Sequence, residues 1–441
     1  MKITLTNCIK IDEPTKEMKD FCKKELTFKN PQYDKMRRMG YWAYGTPKEI
    51  KLFDEYNGSI YCPIGFFDKL FKFHPIPKDY VDYSVEVPIN ITSNIKLRDY
   101  QELAVPSVGK YKCGILNIPV GLGKTELALD CVARYKQKTL WITHTGDLVK
   151  QAKERCEGKM VCKTSTITEG KCDTSGDIVF ATVQTLIKYV EEGKIPQNTF
   201  GMLIVDECHR VSTNPQSIQM FRSCIDYFAA RDRIGLTATV HRADGLADCI
   251  KLIIGDIIYQ IEKSGNEYVC RYENEILLRF PIDKFQVPAQ IEVIETNYNL
   301  EDKDVYSANG GTIQFATLIS DLAMNEDRNK ILINQLRKIE GSTLVLSDRV
   351  EQLKYLCSQV ENGVQIDGGT PKKQREKALK DVDEGKKKYL FASYNLAKEG
   401  LSLNILSNLV MATPVKDFAI VSQSIGRIQR PFGNKQIPHP V

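Results

Sequence analysis

The segment that most limits what this chain can become is Pro119-Val120-Gly121-Leu122-Gly123-Lys124-Thr125, set between an apolar run at 114–118 and a helical run at 126–133. Glycine lets backbone N–H groups turn inward onto phosphate oxygens, and the start of the following helix adds partial positive charge there. Lys124 is placed to reach the β- and γ-phosphates of a nucleotide, and Thr125 to offer a hydroxyl to Mg²⁺. Pro119, Val120, Gly121, Leu122 and Gly123 would line the same cradle. The full eight-residue phosphate-loop pattern would place its first Gly where Ile118 stands. A loop of this kind works only between a strand and a helix, which commits this part of the chain to an α/β fold.

The surrounding pattern agrees. Short β-branched runs at 139–143, 178–181, 202–205 and 234–236 alternate with helical stretches, the signature of a parallel sheet covered on both faces. A second series runs through 342–346, 364–366, 388–392 and 409–411. The expected architecture is therefore two tandem α/β domains with parallel sheets, preceded by a small α+β domain. The expected boundaries are 1–90 for the accessory domain, 91–245 for the first α/β domain, 246–335 for a connector and 336–441 for the second.

Met202-Leu203-Ile204-Val205 delivers Asp206 and Glu207 to the carboxyl end of a buried-type strand, where open α/β sheets bind their ligands. Asp206 would hold Mg²⁺, and Glu207 would orient and deprotonate the attacking water.

Composition removes several other classes. Hydrophobic residues make up 42% of 441 and charged residues 27%, a globular balance, and the formal charge of +5 permits a polyanion partner without requiring one. Thirteen cysteines with no CxxC pair fit neither a disulfide framework nor a zinc ribbon; Cys156, Cys162 and Cys172 lie closest together and lack a fourth ligand. No segment approaches the roughly 20 apolar residues that span a bilayer, and no signal peptide opens the chain, so an intracellular protein, cytoplasmic or at work in a phage-infected host, without a membrane partner is expected.

Within 1–90, Lys19, Lys23, Lys24, Lys29, Lys35 and Arg37 precede Tyr41, Trp42 and Tyr44, a mixture suited to phosphates and bases or, equally, to a solvated helix face and core aromatics. The region is a candidate for nucleic-acid or protein contact. Asn57-Gly58 marks a tight hairpin.

Taken in order, these motifs resemble the superfamily 2 helicases, nearest to the XPB-like and phage UvsW-like group, over about 91–435. Leu97-Arg98-Asp99-Tyr100-Gln101 resembles the segment that recognises adenine, which makes Arg98 and Gln101 nucleotide-binding candidates. Thr143-His144-Thr145 and Ala181-Thr182-Val183-Gln184 resemble segments on the nucleic-acid backbone, implying contacts by Thr145, Thr182 and Gln184. Asp206-Glu207-Cys208-His209 resembles the DExH motif, and Thr237-Ala238-Thr239 the segment coupling nucleotide state to nucleic-acid grip through His209, Thr237 and Thr239; Val240 replaces the usual Pro. In the second domain the resemblance implies backbone contacts by Ser347 and Ser393 and a nucleotide contact by Gly400, with Ser402 where relatives carry Asp. Gln423-Ser424-Ile425-Gly426-Arg427-Ile428-Gln429-Arg430 resembles the QxxGRxxR motif, implying catalytic roles for Gln423, Arg427 and Arg430. Arginines three apart share a helix face and would together meet a γ-phosphate.

The resemblance implies two RecA-like domains, ATP and Mg²⁺ as cofactors, and nucleic acid as partner, DNA ahead of RNA. It also implies action as a monomer on duplex, branched or hybrid substrates with 3′-to-5′ polarity. An RNA helicase, a duplex translocase serving a nuclease or restriction system, and a nucleotide-switched binding module are the competing readings. Glu207 together with Arg427 speaks against the last, because a switch needs neither a water-activating carboxylate nor a finger.

Overall fold

The computed structural model describes residues 1–40, 45–75, 79–212, 214–239, 246–273, 275–284, 287, 289–296, 298–299, 314–399, 403–416 and 418–429. Tyr41, Trp42, Tyr44, Val240 and the 241–245 stretch, Gly400, Ser402 and Arg430 lie outside them. The chain forms two compact units, 1–280 and 281–441.

The first unit is built on a ten-stranded sheet. Its strands run in the order Lys171–Cys172, Thr164–Thr168, Ile178–Thr182, Thr139–Thr143, Met202–Asp206, Asp232–Thr237, Cys113–Asn117, Ile257–Ser264, Glu267–Tyr272 and Glu275–Pro281. From Thr164–Thr168 to Ile257–Ser264 every neighbouring pair is parallel, and only the two ends turn antiparallel. The central strands are buried along their whole length, which is why they read as continuous apolar runs and not as alternating ones. Met202–Asp206, Asp232–Thr237 and Cys113–Asn117 lie side by side, so the loops leaving them share one edge.

Residues 1–90 carry a second sheet, ordered Asp54–Tyr56, Ser59–Cys62, Ile9–Asp12, Lys2–Leu5 and Val81–Asp82. Its hairpin turns at Asn57 (φ 48°) and Gly58 (φ 78°), both left-handed as a tight primed turn requires. The basic stretch forms two helices, Lys16–Glu25 and Pro31–Arg38, and leaves Lys24, Lys29, Lys35 and Arg37 exposed, while Lys23 pairs with Glu55.

Two expected boundaries are corrected. The connector does not run from 246 to 335, because the helix Ala247–Ile254 and the three strands that follow complete the first unit's sheet. Residues 1–90 are not a separate body either. Ile3, Ile9, Leu26, Phe66 and Leu70 belong to one hydrophobic core with Leu203, Phe221, Phe228 and Ile250. Gly65 packs so tightly on the Ala247–Ile254 helix that a Cβ there would sit 2.3 Å from the Lys251 carbonyl oxygen.

A buried charge network fastens the same seam. Arg233, with no exposure, donates to the carbonyls of Asn7 (2.9 Å) and Phe228 (2.8 Å) and lies 3.6 Å from Asp226. Arg222 pairs with Asp226 at 3.3 Å and with Asp54 at 2.5 Å.

The second unit holds a four-stranded parallel sheet, Gly363–Ile366, Tyr389–Ser393, Thr343–Ser347 and Asn408–Met411, with helices such as Glu326–Lys338, Val350–Ser358, Lys372–Asp383 and Phe418–Ile428. No helix of the described residues is long and apolar enough to cross a membrane.

Candidate nucleotide and nucleic-acid site

The phosphate loop leaves the strand Cys113–Asn117 and enters the helix Lys124–Tyr135. Gly121 (φ 87°) and Gly123 (φ 76°) both stand in the left-handed region. The loop is braced from below: Leu122 is fully buried, and its carbonyl accepts from the Tyr100 hydroxyl (3.1 Å) and from Gln101 Nε2 (3.2 Å). Gln101 Nε2 also donates to the Gly123 carbonyl at 3.0 Å, while Gln101 Oε1 accepts from the Arg98 N–H at 2.9 Å. The Gln101 amine is thus spent on the loop, and its remaining acceptor capacity is what could face a base. Arg98 Nη1 donates to the Tyr100 hydroxyl at 2.9 Å.

A Cβ at Gly123 would stand 2.7 Å from Gln101 Nε2 in addition to the left-handed backbone. Gly123→Ala should therefore weaken nucleotide binding by at least roughly tenfold, since left-handed alanine costs about 1–2 kcal/mol before the clash is added. Titration of a fluorescent ATP analogue checks this, and unchanged affinity would contradict the cradle.

Opposite the loop, the buried Asp206 ends its strand and Glu207 follows with φ 49°, a left-handed conformation rare outside glycine. Turning the chain there aims the Glu207 carboxylate back at the loop: Oε1 lies 3.3 Å from Lys124 Nζ and Oε2 lies 3.2 Å from His209 Nδ1. Burial pushes the Glu207 carboxyl upward, but the Lys124 charge and the His209 hydrogen bond outweigh it and hold the group below the ordinary carboxylate range. Asp206 moves the other way, raised by burial and by the neighbouring Glu207 charge. Two adjacent carboxyls are thereby driven apart, the pattern of groups with different tasks.

His209 Nδ1 also meets Thr237 Oγ1 at 3.1 Å. Thr237 spends its hydroxyl hydrogen on the Thr239 carbonyl (2.9 Å) and accepts from the Thr239 N–H (3.1 Å), so the hydrogen between His209 and Thr237 belongs to His209. The Thr237 carbonyl receives the Ile118 N–H at 2.8 Å. One chain of contacts therefore runs from the phosphate loop through Thr237 and His209 to Glu207 and back to Lys124.

The donor set fits a nucleotide-bound Mg²⁺. Thr125 Oγ1 and the Asp206 carboxylate are hard oxygen donors beside the loop, and among the described residues no group of three or more His, Cys, Asp or Glu could cage an ion. Mg²⁺ is held in this way, by one or two protein oxygens with phosphates and water completing the shell. Sequence reasoning missed Arg155, which donates to Thr125 Oγ1 at 3.0 Å from the helix Gly146–Lys159.

The nucleic-acid candidates of this unit gather one strand further along. Thr143 and Thr182 are register partners at the ends of neighbouring parallel strands. Thr145 caps the helix Gly146–Lys159 by accepting from the Leu148 N–H (3.4 Å), and Thr182 caps Val183–Glu191 by accepting from the Thr185 N–H (3.3 Å). Two helix N-termini are thus set beside each other, with Gln184 Nε2 3.2 Å from His144 Nδ1 on the surface.

In the second unit Ser393 ends its strand partly exposed, in register with Ser347. Ser347 is a correction: it has no exposure, donates to Gln352 Oε1 at 2.7 Å and accepts from the Arg349 N–H at 3.1 Å, so it organises the turn instead of touching a ligand. Gln423 and Arg427 lie on the helix Phe418–Ile428 and are mostly buried. All thirteen cysteines are free thiols, with Cys156 and Cys162 sulfurs 3.5 Å apart.

Comparison with known proteins agrees with this layout. Residues 94–242 match the family described as "Type III restriction enzyme, res subunit", and residues 327–431 match "Helicase conserved C-terminal domain". The chain is similar to DNA 3'-5' translocase XPB2 of Sulfurisphaera tokodaii, 27% identical over 360 residues, which cover 73% of this chain and 78% of that protein. It is similar to a probable helicase of Escherichia phage T5, 27% identical over 446 residues, covering 99% and 89%. Among solved structures, a fragment of a putative HsdR subunit of a type I restriction enzyme from Vibrio vulnificus YJ016 shares the fold, with TM-score 0.52 and 21% identity over 76% of this chain and 61% of that one.

Proposed function

As a member of the superfamily 2 helicases, near the XPB and UvsW group, the chain is an ATP-dependent DNA helicase/translocase, and we propose that it splits ATP between its phosphate loop and Glu207. The observation that carries this is the closed circuit Lys124, Glu207, His209 and Thr237 at the ends of three adjacent strands.

In this reading Lys124 leaves Glu207 for the β- and γ-phosphates, and the freed carboxylate orients the attacking water and accepts its proton. Thr125 and Asp206 would hold Mg²⁺, which offsets charge developing on the phosphates. Gln101 keeps the loop in shape and offers its acceptor oxygen to an adenine amino group, which a guanine oxygen could not satisfy. Pro119 to Gly123 and Gly400 would surround the nucleotide. Gln423 and Arg427, which share one helix, would serve the transferred phosphoryl group together with Arg430. His209, Thr237 and Thr239 would report its state.

The paired helix N-termini at Thr145 and Thr182, with Gln184 and with Ser393 in the second unit, suit the phosphates of a single strand. We take DNA as the preferred track, 3′-to-5′ as the direction and a monomer as the working form. Exposed Lys24, Lys29, Lys35 and Arg37 would add a second, salt-sensitive hold on the substrate.

ATPase rates measured side by side with single-stranded DNA, duplex DNA, forked DNA and single-stranded RNA test the choice of track. DNA, forked DNA above all, should stimulate several-fold more than RNA. Stimulation by RNA alone would replace this reading with the RNA-helicase one.

A further inference from the structure

Arg155 stands in a place that the function just proposed does not explain. It lies on the helix Gly146–Lys159, nine residues or roughly 14 Å from the N-terminus that Thr145 caps. One turn later on the same face, Lys159 pairs with Glu126 at 3.0 Å. This helix therefore has one end at the candidate nucleic-acid surface and the other on the first two residues after the phosphate-loop lysine.

The chemistry of the Arg155 contact is unusual for a docking interaction. A guanidinium is a pure donor, so Thr125 Oγ1 must accept from it at 3.0 Å. The same oxygen is what a threonine gives to Mg²⁺, and two cations directed at one small oxygen repel each other.

We propose that Arg155 is a positioning residue that competes with Mg²⁺ for the Thr125 hydroxyl, and that the Gly146–Lys159 helix links the outcome to nucleic acid held at its N-terminus. The inference rests on the reading that this N-terminus meets nucleic acid. Loading of Mg²⁺ nucleotide displaces Arg155 and releases one anchor of the helix. By reciprocity, a strand that shifts the helix toward the released position makes nucleotide loading easier.

The test uses the full-length chain, a fluorescent non-hydrolysable ATP analogue and a single-stranded DNA oligonucleotide. Analogue affinity is measured with and without Mg²⁺ and with and without DNA. In the unmodified protein DNA should tighten Mg²⁺-dependent analogue binding by about 5- to 150-fold, the usual span of such couplings.

In Arg155→Ala, analogue binding without DNA should become several-fold tighter, because the competitor is gone. DNA should then add little. With Mg²⁺ chelated the gain should vanish. A residue that merely docked the helix would give weaker binding when removed.

Arg155→Lys, which keeps a cationic donor, should restore most of the coupling. Lys159→Ala, which loosens docking without touching Thr125, should keep it. Undiminished coupling in Arg155→Ala, or equal loss in Lys159→Ala, would overturn the inference alone. Absence of any coupling in the unmodified protein while the oligonucleotide still binds would overturn the inference alone, and failure of the oligonucleotide to bind would overturn the nucleic-acid reading beneath it as well.

Discussion

Glu207→Gln is expected to keep ATP and DNA bound while lowering turnover by about 10²- to 10⁴-fold, the range that general-base catalysis supplies. Glutamine has nearly the same volume, so the left-handed turn at 207 should survive, but its single acceptor oxygen can keep only one of the two contacts that the carboxylate shares between Lys124 and His209. What disappears is the charge that orients water and the site that takes its proton. Affinity for a nucleotide analogue should stay equal or rise, because Lys124 no longer has a carboxylate to leave. Lys124→Ala should differ, losing analogue binding and turnover together, since the ammonium both holds phosphate and balances the reaction. Rapid-mixing measurement of a single ATP turnover, set beside analogue titration, separates the two cases. Turnover within tenfold of the unmodified rate in Glu207→Gln would remove this residue from the chemistry.

Arg233→Ala should destabilise the first unit by about 3–5 kcal/mol, the usual cost of breaking a buried ion pair from one side. The guanidinium is wholly buried and serves four acceptors, and its loss leaves the carbonyls of Asn7, Phe228 and Ala230 without that donor and Asp226 with Arg222 as its only arginine. For a unit of this size a midpoint shift of the order of 10 °C follows, measurable by thermal unfolding. A shift below about 2 °C would mean that the network contributes little to stability. The same residues show why cutting at residue 90 is a poor way to ask what the N-terminal region does. Such a cut removes one side of a shared core and leaves Arg233 facing solvent in place of Asn7.

Much of the α/β framework was readable because parallel strands buried on both faces have no choice but to be apolar throughout. Thr139–Thr143 and Met202–Asp206 stand where such runs occur, within a residue. The phosphate loop and the acidic strand end were readable for a related reason: each is a local sequence feature, and adjacency in the sheet does the rest. The limit of the first unit was not readable. The sequence reads as a connector over 246–335, yet the ordering of Ile257–Ser264 beside Cys113–Asn117 is a pairing between residues some 140 positions apart, visible only once the sheet exists. Ser347 misled for a different reason. The resemblance implied a phosphate contact there, and only the local packing reveals that Gln352 and Arg349 already use its hydroxyl. Arg155 gave no signal at all, being one cation among several on a charged helix.

The core shared between residues 1–90 and the rest of the first unit also limits how such proteins can exchange parts. A recombinant joined near residue 90 would pair an Asn7, Asp54 and Gly65 from one parent with an Arg233, Arg222 and Lys251 surface from another, and each mismatch would fall inside a packed seam. A crossover near 280 cuts where the chain passes from one compact unit to the next. Functional chimaeras should therefore recover far more often at the later junction, so that the N-terminal region is inherited with its motor lobe and not traded separately.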